Sequence, residues 1–362
     1  MWGIVFTEKQ YNGLCLMQEQ EIKYLPLFVF VCVLSACTSV RYMSVETYNP
    51  ATVTFPPDIR KVLIVDNTVP QPQVPFTLNI MQAVDTMNIA SDHVANVFCR
   101  TLGEMIVESP YFEDVLLYEG RFRTDSSGRN TDSILTPENV GQLCEEQDAD
   151  AVISLDRLLF EVHEAIRNMD DYGLSTGIFL DATISGILRT YLPGRRTPLD
   201  VIYLSDTVYS CIVPSVLEPF TPEDIRNALT AAFEGLAEKY HPHFVPHWND
   251  DIRWYYVSSA ARNKEAAAFM AAGKWENAAA IWELLYDATA SQKTKARMAS
   301  NMALCCEMIG DFLRAVKWAE LACQHLMGHP AGNDHMFGLQ KEYLSVLTCR
   351  IEAEKKLREQ EQ

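Results

Sequence analysis

Three histidines and a serine are the residues whose types and spacing first suggest chemistry. His241, His243 and His247 form H-x-H-x3-H in "HPHFVPHW", with Asp250 and Asp251 close behind. Imidazoles this near one another could ligate zinc. Pro242 and Pro246 break the segment, however, and neither HExxH nor a comparable signature accompanies it. A domain linker with no metal is the expected reading. Ser175 lies in "GLSTG", which matches G-x-S-x-G by letters. A nucleophile elbow needs a strand before the serine and a helix after it. Here "NMDDY" precedes and an alternating stretch follows, so a hairpin turn is expected and no catalytic residue is assigned. "DSSGRNTD" (125–132) lacks the order of acids and the distal Glu of a calcium loop. No glycine-rich phosphate cradle is present, and no cofactor is expected.

The cysteines point elsewhere. The chain has ten. Cys99, Cys144, Cys211, Cys305, Cys306, Cys323 and Cys349 show no CxxC and no regular spacing, a poor framework for disulfides or zinc. Cys37 is different, because it closes an apolar run over residues 25–36, 12 residues long. A membrane-spanning helix needs about 20. A short run ending on small residues near an N-terminus reads as a secretory h-region. Leu34-Ser35-Ala36-Cys37 resembles the lipobox of bacterial lipoproteins, Leu-[Ala/Ser]-[Gly/Ala]-Cys. The resemblance implies cleavage before Cys37 and a diacylglycerol on its sulfur. The region ahead departs from a signal peptide's positive start, since Glu8, Glu19 and Glu21 outnumber Lys9 and Lys23; Met17 is an alternative start.

Those elements must be carried by a globular body. The formal charge is −18, with 48% hydrophobic residues. Such an acidic surface repels phosphate backbones and anionic headgroups, so nucleic acid is not an expected partner and membrane attachment would come through lipid. Residues 1–36 read as signal peptide and 37–57, with Pro50, Pro56 and Pro57, as a tether. From 58 to 240 the expected order is β-α-β-α-β-β-β-α. "KVLIVDN" (61–67) is a strand and the Pro-rich "VPQPQVPF" (69–76) a loop. A helix runs from Ser91 to about Ser109, stopped by Pro110. "DVLLYEG" is a strand, and Thr136-Pro137-Glu138 opens a helix. Strands follow at 149–162, 177–192 and 200–213, the last two joined by "PGRRTP". Thr221-Pro222-Glu223 starts the closing helix. This order predicts a mixed-sheet α/β layer domain, parallel first and antiparallel later. It loosely resembles the small α/β domains of periplasmic assembly lipoproteins such as the curli secretion lipoprotein.

After a linker at 241–250 the chain turns helical and repeats itself. "NKEAAAFMAAGKWENAAAIW" (263–282) and "SNMALCCEMIGDFLRAVKWA" (300–319) match at a period of 37 residues. Ala266, Gly273, Trp275 and Ala278 align with Ala303, Gly310, Phe312 and Ala315. The pattern resembles the tetratricopeptide repeat, whose period is about 34. Small residues let paired helices approach and glycine turns the corner. Two such repeats are expected over 251–330, with a capping helix over 331–362. In that family the first helix of each repeat lines a concave face. The resemblance implies that Asn263, Ala267 and Met270, with Arg297, Ser300, Leu304, Glu307 and Met308, face a partner there. The competing expectation is that the last helix fills the groove and makes Met270, Leu304 and Met308 core.

The fold class expected is thus an α/β mixed-sheet domain followed by an all-α tetratricopeptide-like domain. The chain resembles an uncharacterised family of Bacteroidetes lipoproteins with a lipobox, an α/β region and a tetratricopeptide tail. In that phylum, surface export goes with acidic residues just after the cysteine. Thr38-Ser39-Val40-Arg41-Tyr42-Met43 has none, which implies an outer-membrane anchor facing the periplasm. The function expected is a non-enzymatic protein-interaction scaffold in an envelope assembly. The alternatives are a glycan or small-ligand binding protein, using Trp248, Trp254, Tyr255 and Tyr256 at the domain joint, and a hydrolase using the histidines or Ser175.

Overall fold

The computed structural model describes residues 39–69, 74–80, 83–89, 93–120, 134–169, 174–211, 221–327 and 334–361. Two compact units emerge. An α/β unit comprises Tyr48–Asn249 with Glu354–Gln362, and a helical unit comprises Asp250–Ala353 with the described residues up to Thr47.

The α/β unit is built on a five-stranded sheet. Its strands are β2 (Lys61–Asp66), β5 (Asp114–Leu117), β6 (Ala151–Met169), β7 (Leu174–Tyr191) and β8 (Asp200–Cys211), in the order β5-β2-β6-β7-β8. β2 runs parallel to β5 and β6, while β6, β7 and β8 are antiparallel neighbours. Parallel pairing demands crossovers, which the helices α1 (Val94–Val107) and α2 (Pro137–Gln147) supply. α2 starts as its sequence dictates: Thr136 Oγ1 accepts from Asn139 N–H, and Pro137 occupies the first turn. Helix α3 (Pro222–Tyr240) opens with a reciprocal capping box between Thr221 and Asp224. One face of the sheet packs on Phe98, Leu102, Phe233 and Leu236 of α1 and α3; on the other, Leu63, Val65, Val152 and Tyr191 meet Val140 and Leu143 of α2. The mixed α/β sheet and the helical region after it are as the sequence reading has them.

Two differences have clear causes. The Pro-rich stretch expected as loop leads into a hairpin of β3 (Val74–Ile80) and β4 (Ala83–Ile89). Proline is tolerated in a short two-stranded ribbon, where many N–H groups need no partner. The expected tether at 37–57 contains β1 (Ser39–Asn49), which pairs with β9 (His247–Val257), reaching into the expected linker. The partner strands lie some 200 residues apart, so no local pattern announces the pair.

In the helical unit, α4 (Ala261–Ala271) and α5 (Trp275–Ala288) form one hairpin, and α6 (Gln292–Ile309) and α7 (Phe312–Leu326) a second. Gly273 (φ 69°) and Gly310 (φ 82°) turn the corners in the left-handed region that glycine alone enters freely. Buried Ala266, Ala278, Ala303, Ala315 and Ala319 permit the close helix approach. Helix α8 (Asp334–Gln360) follows, its residues to Ala353 belonging to this unit. Among the described residues, no helix is long and apolar enough to cross a membrane.

Candidate functional site

Cys37 and its preceding run lie outside the described residues. The expected groove residues lie inside them, and most are buried. Asn263, Ala267, Met270, Ser300, Leu304 and Glu307 are all core positions; Arg297 and Met308 are half-buried. The face of α6 is covered within its own unit by β9 and α8. Asn301 exchanges two 2.8 Å hydrogen bonds with the Tyr256 backbone, and Asn263 Oδ1 accepts from Ser258 N–H at 3.2 Å. Gln340 Nε2 donates to Ser300 Oγ at 2.9 Å. Glu307 takes Arg253 Nε and Nη2 at 3.0 Å and the Tyr343 hydroxyl at 2.6 Å. Burial and the Glu307 carboxylate push the Tyr343 phenol up well above its ordinary range. Arg297 stacks over the Tyr256 ring. Of the two expectations for this face, the burial favours the filled groove: β9 and α8 lie against the residues that two short repeats would otherwise expose.

The aromatic cluster is also largely packed away. Tyr255 and Tyr256 are buried, and Trp254 packs on Tyr343 with ring centroids 5.6 Å apart. Trp248 alone of the four is prominently exposed, at 67%, and stacks on Tyr48 at 4.9 Å. Ser175 is the second residue of β7, reached from β6 rather than followed by a helix, so the elbow topology is missing.

The three histidines sit on a 3-10 turn (His241–His243) and the start of β9. His241 Nδ1–H donates to Glu238 O at 2.7 Å, and His247 Nδ1–H to Val245 O at 3.2 Å. His243 stacks on Tyr240, and its buried Nδ1 has no hydrogen-bond partner among the described residues. No group of three or more His, Cys, Asp or Glu among the described residues is disposed to hold a metal. Burial lowers the pKa of His243, against an opposing pull from Asp200. It lowers that of His247 as well, helped by His241 and His243. A histidine with a depressed folded pKa stabilises the fold above its unfolded value near 6.5, and that contribution is lost as pH falls through the folded pKa. Acidification below about pH 6.5 should therefore weaken the α/β unit. His243→Phe, which keeps the stack on Tyr240, should flatten that slope in denaturant titrations. Equal slopes in wild type and variant would remove His243 as the cause.

Two features were not anticipated from sequence. The first is a saturated polar cluster in the sheet. The β6–β7 register slips between Leu155 and Arg157, leaving Asp156 as the extra residue of a bulge. Its carboxylate, 2% exposed, takes Arg189 Nη1 and the Tyr191 hydroxyl at 2.7 Å, Ser154 Oγ at 2.6 Å and Asn67 Nδ2 at 3.0 Å. Gly186 lies next to the bulge, where a Cβ would meet Arg157 O at 2.7 Å. The signal was available: Asp156 and Arg189 are charges inside apolar strands. With both carboxylate oxygens engaged and Asp156 and Arg189 buried, the cluster is structural.

The second is a cleft of about 300 Å³ contained within the α/β unit. Pro110 ends the turn after α1 and presents Tyr111, which meets Phe55 and Phe112 edge to face. Tyr48, Pro56, Pro57 and Pro246 extend the wall, and Arg60, Glu359 and Glu361 bring charge. The chain's last turn is held there by Gln360, whose amide bonds Ala51 N–H and O at 3.0 Å and Thr54 Oγ1 at 3.1 Å. Rigid rings and prolines with charges of both signs suit a small polar ligand.

Two family profiles match this chain: Domain of unknown function (DUF8603) over residues 59–256 and Domain of unknown function (DUF6340) over residues 264–349. No curated protein matches it.

Proposed function

Since the chain belongs to the DUF8603 family, whose profile carries no activity, we propose that it is a lipid-anchored lipoprotein of the outer membrane, facing the periplasm, and serves as a protein-interaction scaffold in an envelope assembly. One observation carries the anchor: an apolar run too short to span a bilayer ends on Leu34-Ser35-Ala36-Cys37. Each buried CH₂ contributes ~0.8 kcal/mol to membrane binding, so the two chains of a diacylglycerol hold stably where one would not. The tetratricopeptide-like hairpins supply the scaffold. With the inner face of α6 filled, their outward faces, where Leu284 and Leu313 stand exposed, are the surface left for a protein partner. In fractionated cells the wild type should pellet with membranes and Cys37→Ala should remain unprocessed. Crosslinking in the pellet should join partners to the wild type and lose them with Leu284→Asp and Leu313→Asp. Wild type found in the soluble fraction would refute the anchor; crosslinks indifferent to both leucines would refute the surface.

A second reading is a glycan or small-ligand binding protein. The cleft of Tyr48, Phe55 and Tyr111 favours it, replacing the aromatic cluster first considered.

A further inference from the structure

The first strand begins two residues after Cys37, and residues to Thr47 belong to the helical unit. An extended chain gains at most ~3.6 Å per residue, so Val40 lies within ~11 Å of the Cα of Cys37. The headgroup region of one leaflet is itself ~5–7 Å thick. The exposed side chains of β1 change along its length. Val40 (41% exposed) and Tyr42 (72%) come first, then Ser44 and Glu46, while Val45 and Thr47 alternate inward and Met43 packs on the helical core. Arg41 is exposed as well, on the opposite face of the strand. The outward face thus runs from apolar and aromatic near the anchor to polar and acidic away from it. That order follows the polarity gradient from acyl chains through headgroups to water. A tyrosine, with an apolar ring and a polar hydroxyl, suits the interface. Glu46 lies ~13 Å further along the strand than Tyr42, clear of the headgroups.

We infer that Val40 and Tyr42 rest against the bilayer interface, so that the helical unit is held at the membrane surface and not on a tether. This rests on acylation of Cys37, and the experiment separates the two. Lipidated protein is reconstituted in phosphatidylcholine vesicles with a nitroxide on Tyr42→Cys, in a Cys349→Ser background because Cys349 is an exposed thiol. A second sample carries the label on Tyr203→Cys, exposed in the α/β unit. Flotation reports the anchor. Collision of the label with membrane-dissolved oxygen reports contact. The expected result is flotation of both, with collision at position 42 several-fold above position 203. Inserting a Gly/Ser linker of about 15 residues after Thr38, whose mean span is ~20 Å, should abolish that difference and leave flotation intact. Flotation with equal collision at the two positions would overturn the surface contact alone. Failure to float would overturn the anchor and the contact together.

Discussion

Asp156→Ala should destabilise the α/β unit by about 3–5 kcal/mol, the cost of leaving a buried ion pair half-occupied. The substitution takes the Asp156 carboxylate away from the Arg189 guanidinium, whose side chain is 5% exposed. It also removes an acceptor for Tyr191, Ser154 and Asn67. Burial and the same carboxylate hold the Tyr191 phenol well above its ordinary pKa in the native protein. Replacing both partners, Asp156→Leu with Arg189→Met, should cost clearly less than the sum of the single changes, because no charge is then left buried alone. Denaturant unfolding followed on the sheet checks both. A loss under about 1 kcal/mol for Asp156→Ala would show that solvent reaches the cluster.

The second large effect separates core from binding face in the helical unit. Leu304 is fully buried among Tyr255, Met270, Trp282 and Met302. Leu304→Asp places an unpaired carboxylate there and should cost upwards of about 4 kcal/mol, losing cooperative unfolding of the helical unit. Met308→Asp, at a half-buried position packed against the same cluster, should follow with a smaller loss. Amide exchange along α6 reads the outcome directly, since protection there depends on the unit staying closed. Protection retained in Leu304→Asp would reopen the groove as a partner site.

The legibility of this fold tracked the range of the forces involved. Local signals were readable: Thr136-Pro137-Glu138 and Thr221-Pro222-Glu223 open helices because capping and the first-turn proline are settled within four residues. The β7–β8 hairpin was readable from alternation on both sides of "PGRRTP", whereas β6, read as ending at 162, runs on to Met169 and β7 starts at Leu174, inside the expected turn. Non-local partners were not. β1 pairs with a strand some 200 residues later, and nothing in "SVRYMSVETYN" names it. Asp156 was hidden for a different reason. In a strict alternation a charge reads as the wet face, and one bulge turns that side chain inward. The sequence left the groove open between two readings because the repeat pattern specifies how two helices pack on each other and says nothing about what lies on their free face. Arg253 and Tyr343, the groups that close it on Glu307, come from outside the repeats.

The central claim is the acylated cysteine, and the mass of the mature N-terminal peptide tests it most directly. Protein purified from membranes should begin at Cys37 and carry a thioether-linked diacylglycerol on Sγ. A mature chain with an unmodified Cys37, or one still carrying residues 25–36, would contradict the account.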